Sequence, residues 1–337
     1  MDYQVFYPDS PSWFLSLVLL LISTLSFLIF KKFKTPTNLP PSPPGLPIMG
    51  NLHQIGKLPH RSLWELSKRF GAVMHLRLGQ VPAVVISSPT MAKEVLKIHD
   101  HDCCSRPISR GVKRLSYNLL DLAFTPYSDY WKEMRKLSVT HLFTVQKIQS
   151  FSHVREEEVS YLIKTLSQVS SDPVKLDEKI YDLTNNIICK IVFGRTYNGG
   201  QFQCGSGSIR EIMNEAFALM NSFWCSDFFP YIGWVVDALK GLNWRLEMCF
   251  RDFDQFLNRV VDDRLIDLTR TKSKHGDIMD ILLELSEDKT LSFRLTKDHI
   301  KAQLFDVFIG AIDTSSITVT WAMTELAKNP ESCKRSR

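Results

Sequence analysis

The sequence predicts a mainly α-helical domain with a small β-hairpin near its start, preceded by an N-terminal membrane anchor. Apolar residues recur at helical spacing from residue 128 onwards, two short apolar segments flank Gly79, and residues 13–30 form an uncharged apolar run. Of the 337 residues, 44% are hydrophobic and 23% charged. This is a globular composition, which excludes a disordered, collagenous or disulfide-stapled chain.

The uncharged run is long enough to cross a bilayer. Residues 13–30 read WFLSLVLLLISTLSFLIF, and a helix of that length spans about 27 Å. Lys31, Lys32 and Lys34 follow the run, and no Lys or Arg precedes it. These flanks predict a retained single-pass anchor with the body in the cytosol, and argue against a cleaved signal peptide. The alternative is a buried core helix. Residues 1–34 are assigned to the anchor and its basic flank.

A proline-rich hinge is predicted at residues 35–51. From Asn38 it reads NLPPSPPGLPIMGN, with five prolines. Proline fixes φ and has no N–H to donate, so the segment is neither a helix nor a central strand. We expect an extended, stiff spacer between the anchor and the body. The alternative is a flexible linker.

The body, residues 52–330, is predicted to be helical apart from the hairpin, and residues 331–337 form an atypical tail. Alternating apolar segments predict strands at 72–78 and 82–86. Helical periodicity, with stop signals such as Gly71, predicts helices at residues 60–70, 90–98, 128–143, 146–170, 176–193, 208–222, 243–272, 277–287 and 296–328.

Charge, cysteine content and missing motifs exclude several classes of protein. Lys334, Arg335 and Arg337 supply three of the five net positive charges, so no basic face for nucleic acid is expected. The seven cysteines form no C-x-x-C pair. The candidate ligands in HDHDCC at residues 99–104 are adjacent, which matches no structural zinc spacing. Dinucleotide, P-loop, zinc-protease and α/β-hydrolase motifs are absent.

The last long helix carries an unusual segment, Phe-Ile-Gly-Ala-Ile-Asp-Thr-Ser-Ser at residues 308–316. Glycine, serine and threonine are locally costly inside a helix, and such violations are commonest at functional sites. Gly310 and Ala311 form a notch of small residues that could admit a ligand, and Asp313 and Thr314 could handle protons beside it. The alternative is a close helix–helix crossing, and the pattern alone does not decide between them.

A second candidate group consists of Arg106, Trp131 and Arg135. Trp131 and Arg135 are four residues apart, so they share one face of a helix. Arginine together with an indole N–H makes a good anion clamp. The alternative is an arginine stacked on a tryptophan at the surface.

Aromatic residues crowd one region between two predicted helices. They either belong to the core or form a lid that touches a membrane and admits apolar substrates. The cluster comprises Phe217, Phe223, Trp224, Phe228, Phe229, Tyr231 and Trp234.

Four ordered segments of the chain resemble those of plant microsomal cytochrome P-450, a family of membrane-anchored haem-thiolate monooxygenases. They are PPSPPGLPIMGNL, LKIHDHDCCSRP, DLAFTPYSDYWKEMRKL and FIGAIDTSS. The resemblance extends from Pro40 to Pro330 and implies the cytochrome P-450 fold with haem as cofactor. It accounts for His99 and Asp100 without a metal.

The resemblance also implies roles for the two candidate groups. Ala311 is a departure, because many members have glycine there and alanine before it; both residues are small, so the notch could survive the exchange. By resemblance, haem propionates would be held by Arg106, Trp131 and Arg135, the oxygen pocket would be lined by Gly310 and Ala311, and protons would be delivered by Asp313 and Thr314.

Substrate, partners and location follow from the same resemblance. The substrate would be a small lipophilic molecule, and the segment 228–234 would be the membrane-facing lid. Electrons would come from an NADPH-cytochrome reductase docking on a basic face that includes Lys132 and Lys136. The protein would lie in the endoplasmic reticulum membrane with its catalytic body on the cytosolic side, and it would bind no nucleic acid.

Two signatures of the family do not occur in the chain. No E-x-x-R is present, and no cysteine lies in the haem-ligating form F-x-x-G-x-R-x-C-x-G. The thiolate holds the haem and favours O–O cleavage. We therefore expect a form that is incomplete at its C-terminus, marginally folded in its C-terminal half and inactive as written. The alternatives are a non-catalytic truncated membrane protein that competes for the reductase or partner enzymes, and a decayed product.

Overall fold

The computed structural model describes residues 38–169, 173–196, 209–271, 276–291 and 293–329, with residues 16, 17, 20 and 23. Apart from these four, the expected anchor at residues 13–30 lies outside the described residues, as does the tail at 331–337. No helix within the described ranges is both long enough and apolar enough to cross a bilayer. The chain divides into two compact units, Met1–Glu94 and Val95–Arg337.

The first unit contains the expected hairpin and one helix before it. Helix α1 (Pro59–Phe70) begins with a proline and ends at Gly71, whose φ of 98° favours glycine. Strands β1 (Val73–Leu78) and β2 (Val81–Ile86) are antiparallel, with Leu78 opposite Val81. Both strands lie within a residue of the predicted bounds.

The proline-rich hinge lies along β1 instead of standing free as a spacer. His75 N donates to Pro41 O at 2.9 Å. The buried Asn51 donates from Nδ2 to Pro43 O at 3.0 Å, and its Oδ1 accepts from Arg77 N at 2.8 Å. Prolines have no N–H, but their carbonyl oxygens still accept hydrogen bonds. A proline-rich segment that cannot itself form a central strand can therefore bind along β1.

From the end of the first unit onwards the described chain is helical. The π-helical turns Glu94–Ile98 and Ser138–Leu142 continue two of the helices. The helices are α2 (Pro89–Lys93), α3 (Asp100–Cys103), α4 (Arg110–Leu115), α5 (Asp129–Leu137), α6 (Val145–Ser150), α7 (Ser152–Gln168), α8 (Leu176–Phe193), α9 (Ile209–Met220), α10 (Cys225–Phe228), α11 (Gly233–Leu239), α12 (Leu242–Thr271), α13 (Ile278–Glu287) and α14 (Lys297–Lys328).

One expected helix is two helices in the structure. The periodicity over residues 146–170 predicts a single helix, whereas the chain turns at Phe151 between α6 and α7. Phe151 N bonds to Ile148 O, three residues back, and the Phe151 ring is buried. The break therefore directs an aromatic side chain inwards, which a pattern of apolar spacing does not reveal.

The core of the second unit lies where α8, α12 and α14 meet. Phe193 and Phe308 stack at 5.5 Å, and Phe253 and Phe305 meet edge to face at 5.4 Å between ring centroids. Burying each such ring stabilises the fold by roughly 1.5–3 kcal/mol. The N-terminal half of α14 is therefore fixed in the core, and its C-terminal half is held in a defined place.

A second group of contacts joins α12 to α14 and to the turn after α4. Asp254 Oδ1 accepts from Tyr117 Oη at 2.9 Å and from Lys301 Nζ at 2.7 Å. Asn258 donates to Asp254 Oδ2 at 2.8 Å. Lys301 is almost fully buried and also pairs with Asp298 at 2.8 Å. One carboxylate thus ties three parts of the unit together.

Candidate active site

The predicted notch lies on an open face of α14. A Cβ added at Gly310 meets no heavy atom within 4 Å, so no described helix crosses there. Thr314 is one turn further along and donates from Oγ1 to Gly310 O at 2.6 Å. Ile317 and Trp321 continue the same face and are exposed. We call Gly310, Thr314, Ile317 and Trp321 the open face of α14. Among the described residues, the close helix–helix crossing is not found at Gly310, and the ligand notch stays a prediction.

Asp313 and Thr314 are adjacent in sequence, so their side chains project from α14 about 100° apart. Asp313 lines a cavity of about 290 Å³ together with Tyr181 of α8 and Arg210 of α9. Arg210 binds the Asp182 carboxylate at 2.9 Å. Burial raises the pKa of Tyr181 to about 12, with Arg210 lowering the pKa and Asp313 raising it. Ile317 and Trp321 also line this cavity, so the cavity of Asp313 adjoins the open face.

The predicted anion clamp is assembled in part. The Arg135 guanidinium carbon lies 5.2 Å from the centre of the Trp131 ring, so the stacked pair is present, and the anion clamp stays a prediction. The Trp131 indole N–H donates to Leu122 O at 3.1 Å and is occupied by that bond. Arg106 and Arg135 are exposed, and neither forms an ion pair with a described residue. A clamp here would rest on the two guanidinium groups.

The loop between α4 and α5 joins the clamp to the open face. Asp306 Oδ2 accepts from Leu122 N at 2.6 Å and from Ala123 N at 3.1 Å. Asp306 precedes Gly310 by one helical turn, and Leu122 is the residue that accepts from Trp131. Hydrogen bonds through Leu122 therefore connect Trp131 of α5 to Asp306 of α14, one turn before Gly310. No pattern in the sequence indicated that these two helices are connected.

Arg106 lies next to the same group through its neighbour. Tyr127 N donates to Ser105 Oγ at 3.3 Å, and the Tyr127 and Trp131 rings lie 5.6 Å apart. Ser105, the residue before Arg106, is thus held at Tyr127, which packs against Trp131.

The joining loop begins with a left-handed segment. Tyr117, Asn118 and Leu119 have φ of 53°, 60° and 67°. Left-handed backbone costs a residue with a side chain roughly 1–2 kcal/mol. Leu119 N donates to Ser116 Oγ at 3.1 Å, and the Tyr117 hydroxyl bonds to Asp254. Three such residues in a row persist only where the surroundings hold them, which is common at functional sites.

Two carboxyl groups, Asp121 in this loop and Asp306 in α14, are functional candidates that were not found from the sequence. Asp121 is fully buried, and its Oδ2 accepts from Phe124 N at 2.9 Å. Burial, and then the nearby Asp121, raise the pKa of Asp306 well above its usual value, while the Leu122 and Ala123 amides lower it. The available signal was a lone carboxylate within the apolar stretch around Phe305 and Phe308.

The aromatic cluster divides between core and surface. Trp224 is fully buried, whereas Tyr231 and Trp234 are 75% and 56% exposed. Asp237 is buried in α11 and accepts from the backbone N–H groups of Cys225 and Ser226 at 2.8 and 3.0 Å. The buried members belong to the core, and the lid stays a prediction for the exposed ones. Trp234 lies in α11, and Tyr231 lies in the turn before it.

The cysteine-rich segment shows no metal centre. The side chains of residues 99–104 are exposed. Among the described residues no group of three or more His, Cys, Asp or Glu could hold a metal ion.

Comparison with known proteins identifies the family. The cytochrome P450 family model matches residues 40–337. Cytochrome P450 71B35 of Arabidopsis thaliana is 44% identical over 329 residues, which are 96% of this chain and 64% of the relative. Cytochrome P450 71B10 of the same plant is 45% identical over 327 residues, with the same shares. The 2-methylbutanal oxime monooxygenase of Manihot esculenta is 41% identical over 332 residues, 97% of this chain and 64% of that protein.

The mainly helical fold of the described residues, with its small two-stranded sheet, fits this match. The chain belongs to the cytochrome P450 family, as the resemblance predicted. It spans 64% of the length of these curated relatives.

Haem, which the family implies, fits the described residues on one side. The open position beside Gly310 leaves room for a flat group against the helix backbone. The guanidinium groups of Arg106 and Arg135 are of the right charge for two carboxylates. Cys189 and Cys249 are buried, Cys225 is half-buried, and Cys103 and Cys104 are exposed at the end of α3. None of the five has the sequence setting of the haem-ligating loop.

Proposed function

We propose that this chain forms the distal part of a monooxygenase that inserts one atom of O₂ into a small lipophilic substrate. The observation that carries the proposal is the open face of α14, in the same unit as two exposed arginines that have no carboxylate partner among the described residues. Membership of the family supports it, and so does the monooxygenase activity printed in the name of one relative. When bound, a haem with an axial thiolate supplies the oxygen activation.

The residues of this chain would bind the cofactor and handle protons. Arg106 and Arg135 would neutralise its two carboxylates, with the Trp131 ring as a platform under Arg135. Gly310 would let it approach the helix backbone. Because the Thr314 hydroxyl donates to Gly310 O, the lone pairs of Oγ1 are free to accept a hydrogen bond from water, and the hydroxyl would hold that water in the notch.

Asp313 would act as the acid that supplies those protons. Its cavity is lined by Arg210 and Tyr181, and also by Ile317 and Trp321 of the open face. Transfer to Thr314 would pass through water, because the carboxyl and the hydroxyl project from α14 about 100° apart.

The exposed lid would face the membrane from which a lipophilic substrate comes. We call residues Cys225–Leu239, which contain α10 and α11, the lid. Tyr231, Trp234 and Leu239 project from it, and Leu239 is 84% exposed. Aromatic and aliphatic side chains together suit the interface between headgroups and acyl chains. The uncharged run at residues 13–30 would anchor the protein in the endoplasmic reticulum membrane.

Electrons would come from an NADPH-dependent reductase. Lys132 and Lys136 lie on α5, the helix that carries the clamp. Both lysines are exposed. Lys132 pairs with the exposed Asp129 at 2.9 Å, so its charge is partly balanced. A basic face here would attract an acidic partner close to the cofactor site.

The test starts with the gene downstream of codon 330, where this proposal expects a frame encoding E-x-x-R and F-x-x-G-x-R-x-C-x-G. Protein from that whole frame should show the ferrous–CO spectrum of thiolate-ligated haem. The 337-residue polypeptide expressed alone should not, because it has no cysteine in that setting. A frame without the cysteine loop contradicts the proposal, and so does a thiolate-type spectrum from the 337 residues alone.

Within the whole-frame protein, the double variant Arg106→Ala/Arg135→Ala should bind haem on the order of tenfold more weakly or worse, because each charge-assisted hydrogen bond to a carboxylate contributes about 1.5–3 kcal/mol. Haem content per folded protein is the measurement. Arg61→Ala removes an exposed arginine of α1 and serves as the matched control. Equal haem content in the double variant and the control would exclude the clamp.

A further inference from the structure

One oxygen of Asp306 is left without a partner in a place where that is costly. Oδ1 is buried and receives no hydrogen bond within the described part of the chain, whereas Oδ2 accepts two backbone N–H groups. An unsatisfied buried oxygen costs roughly 1–3 kcal/mol, and more if it carries charge. The arrangement needs a donor that the other side chains do not supply.

The neighbour that could supply it is a second carboxyl group. Asp121 lies within hydrogen-bonding reach of Asp306. Two ionised carboxylates cannot share a buried site, because their charges repel and neither can donate. A single proton resolves both problems, since the protonated oxygen becomes a donor and the pair carries one charge instead of two.

The hydrogen bonds around the pair indicate which group holds the proton. Asp121 Oδ2 accepts from Phe124 N at 2.9 Å. The Thr125 hydroxyl lies 3.3 Å from Asp121 Oδ1, but its one proton has a nearer acceptor in Leu119 O at 2.7 Å, so Asp121 Oδ1 is open to accept from another donor. Asp306 Oδ1 is buried and has no partner among the described residues. We therefore assign the proton to Asp306 Oδ1, with Asp121 Oδ1 as the acceptor.

We propose that Asp306, protonated on Oδ1, donates to Asp121, and that this pair fixes the loop between α4 and α5 on α14. Asp306 holds the loop at Leu122 and Ala123, and it holds Asp121 through the shared proton. The left-handed segment at residues 117–119, just before Asp121, is thereby kept in its costly conformation. Asp306 is a positioning residue: it places Leu122 O, and through it Trp131, beside the notch.

Few other charged groups act on the pair. Tyr130 of α5 is the titratable side chain that faces it, and its hydroxyl donates to Leu120 O at 2.7 Å. Neither the Asp306 carboxyl of α14 nor the Asp121 carboxyl of the loop forms an ion pair with a Lys, Arg or His in the described ranges. Loss of the shared proton at high pH would thus leave two adjacent charges with no cation to balance them, and the loop would loosen.

The value of the Asp121–Asp306 pair for cofactor binding rests on the proposed function, but the pair itself can be tested without haem. The decisive variant is Asp306→Asn in the 337-residue chain. An asparagine there can accept from Leu122 and Ala123 with its carbonyl and donate to Asp121 with its amide, as the protonated acid does. Asp306→Ala can do neither.

Hydrogen–deuterium exchange of the peptide covering residues 116–127 is the first readout. We expect Asp306→Asn to keep wild-type protection at neutral pH and Asp306→Ala to exchange on the order of tenfold faster, as expected for the loss of about one net hydrogen bond. After correction for intrinsic rates, wild-type protection should fall as the pH rises, and Asp306→Asn should not follow. Equal loosening in Asn and Ala, or the same alkaline fall in Asp306→Asn, overturns the proposal.

Infrared difference spectroscopy is the second readout, and it does not depend on the Ala variant folding. The carbonyl band of a protonated carboxyl at neutral pH should disappear in Asp306→Asn. It should remain in Asp129→Asn, which removes a 97% exposed carboxyl of α5 and serves as the control. An unchanged band in Asp306→Asn shows that Asp306 is ionised and ends the proposal. If both readouts give the expected results but the whole-frame protein does not bind haem, only the proposed function is contradicted.

Discussion

At Gly310 the interior of a long helix carries no side chain, and the space beside it is open. Gly111 offers a contrast in the same unit, because its added Cβ would lie 2.6 Å from Leu219 O. The two glycines therefore differ in whether their surroundings leave room for a side chain. At Gly111 the reason is packing, and at Gly310 no packing reason exists among the described residues.

The substitution Gly310→Ala should raise the free energy of unfolding of the 337-residue chain by about 0.5–1 kcal/mol, because alanine is the better helix former and meets no neighbour. Gly111→Ala should lower it, since backbone must shift to admit the methyl group. Urea unfolding followed by circular dichroism measures both. A destabilised Gly310→Ala would mean that the notch is filled by packing after all.

Sequence reasoning was effective at this scale where spacing alone carries the information. It placed Gly310 near Thr314 on one helix, and Trp131 with Arg135 on another. It did not find the pairing of Asp121 with Asp306, because the burial of a carboxyl depends on which loop folds over it. It also overlooked the competition for the Trp131 indole N–H, which a backbone carbonyl of the same loop occupies.

Between elements, Asp254 joins α12, α14 and the turn after α4. Burial opposes its ionisation, but hydrogen bonds from Lys301 and Tyr117 outweigh burial and lower the pKa of Asp254 below its usual value. A carboxyl whose pKa is lower in the folded state stabilises the fold at neutral pH, and that contribution is lost as the pH falls through the folded pKa. Asp306, whose pKa is raised, has the opposite sign and favours the fold less as the pH rises.

The variant Asp254→Asn should therefore cost about 1–3 kcal/mol at neutral pH, the value of hydrogen bonds to a charged group. It should also flatten the loss of stability below pH ~4, where an unfolded aspartate titrates. Urea unfolding between neutral and acidic pH measures both effects. Asp262→Asn, on the same helix, removes only the exposed pair with Lys297 and should change stability by about 0–1 kcal/mol. An acid slope unchanged in Asp254→Asn contradicts this account.

The long elements were predictable because they carry many turns of one period. The bounds of α8 match the sequence expectation, and those of α14 differ by one residue at its start, where Thr296 is the N-cap. The short helices α4 and α11 were not predicted. Helices of this length are not stable by themselves, so the tertiary contacts that hold them leave little periodic signal. In α11 one such contact is Asp237, buried under the turn of α10.

For the molecule as a whole, the proposed membrane attachment has two parts that can be separated. The uncharged run at residues 13–30 is one part, and the exposed apolar residues of the lid are the other. A transmembrane helix inserts in effect irreversibly, whereas a few interfacial side chains bind weakly and reversibly.

Deletion of residues 1–34 should turn tight membrane association into weak binding to anionic lipid vesicles. The further substitutions Trp234→Ser and Leu239→Ser should remove most of that weak binding. Vesicle flotation measures both steps. Trp244→Ser, an exposed tryptophan of α12 outside the lid, is the matched control and should leave the weak binding in place. Equal loss in the control and the lid variant would show that the lid does not meet the lipid.

The hinge laid along β1 has a mechanical consequence. A pull applied at residue 38 acts first on the bond from His75 N to Pro41 O, and then on the two bonds that Asn51 makes with Pro43 and Arg77. The stretch would have to peel from the hairpin one contact after another before it could lengthen. Until the first of these bonds breaks, the edge of the hairpin bears the tension applied at residue 38, and the proline-rich segment does not extend.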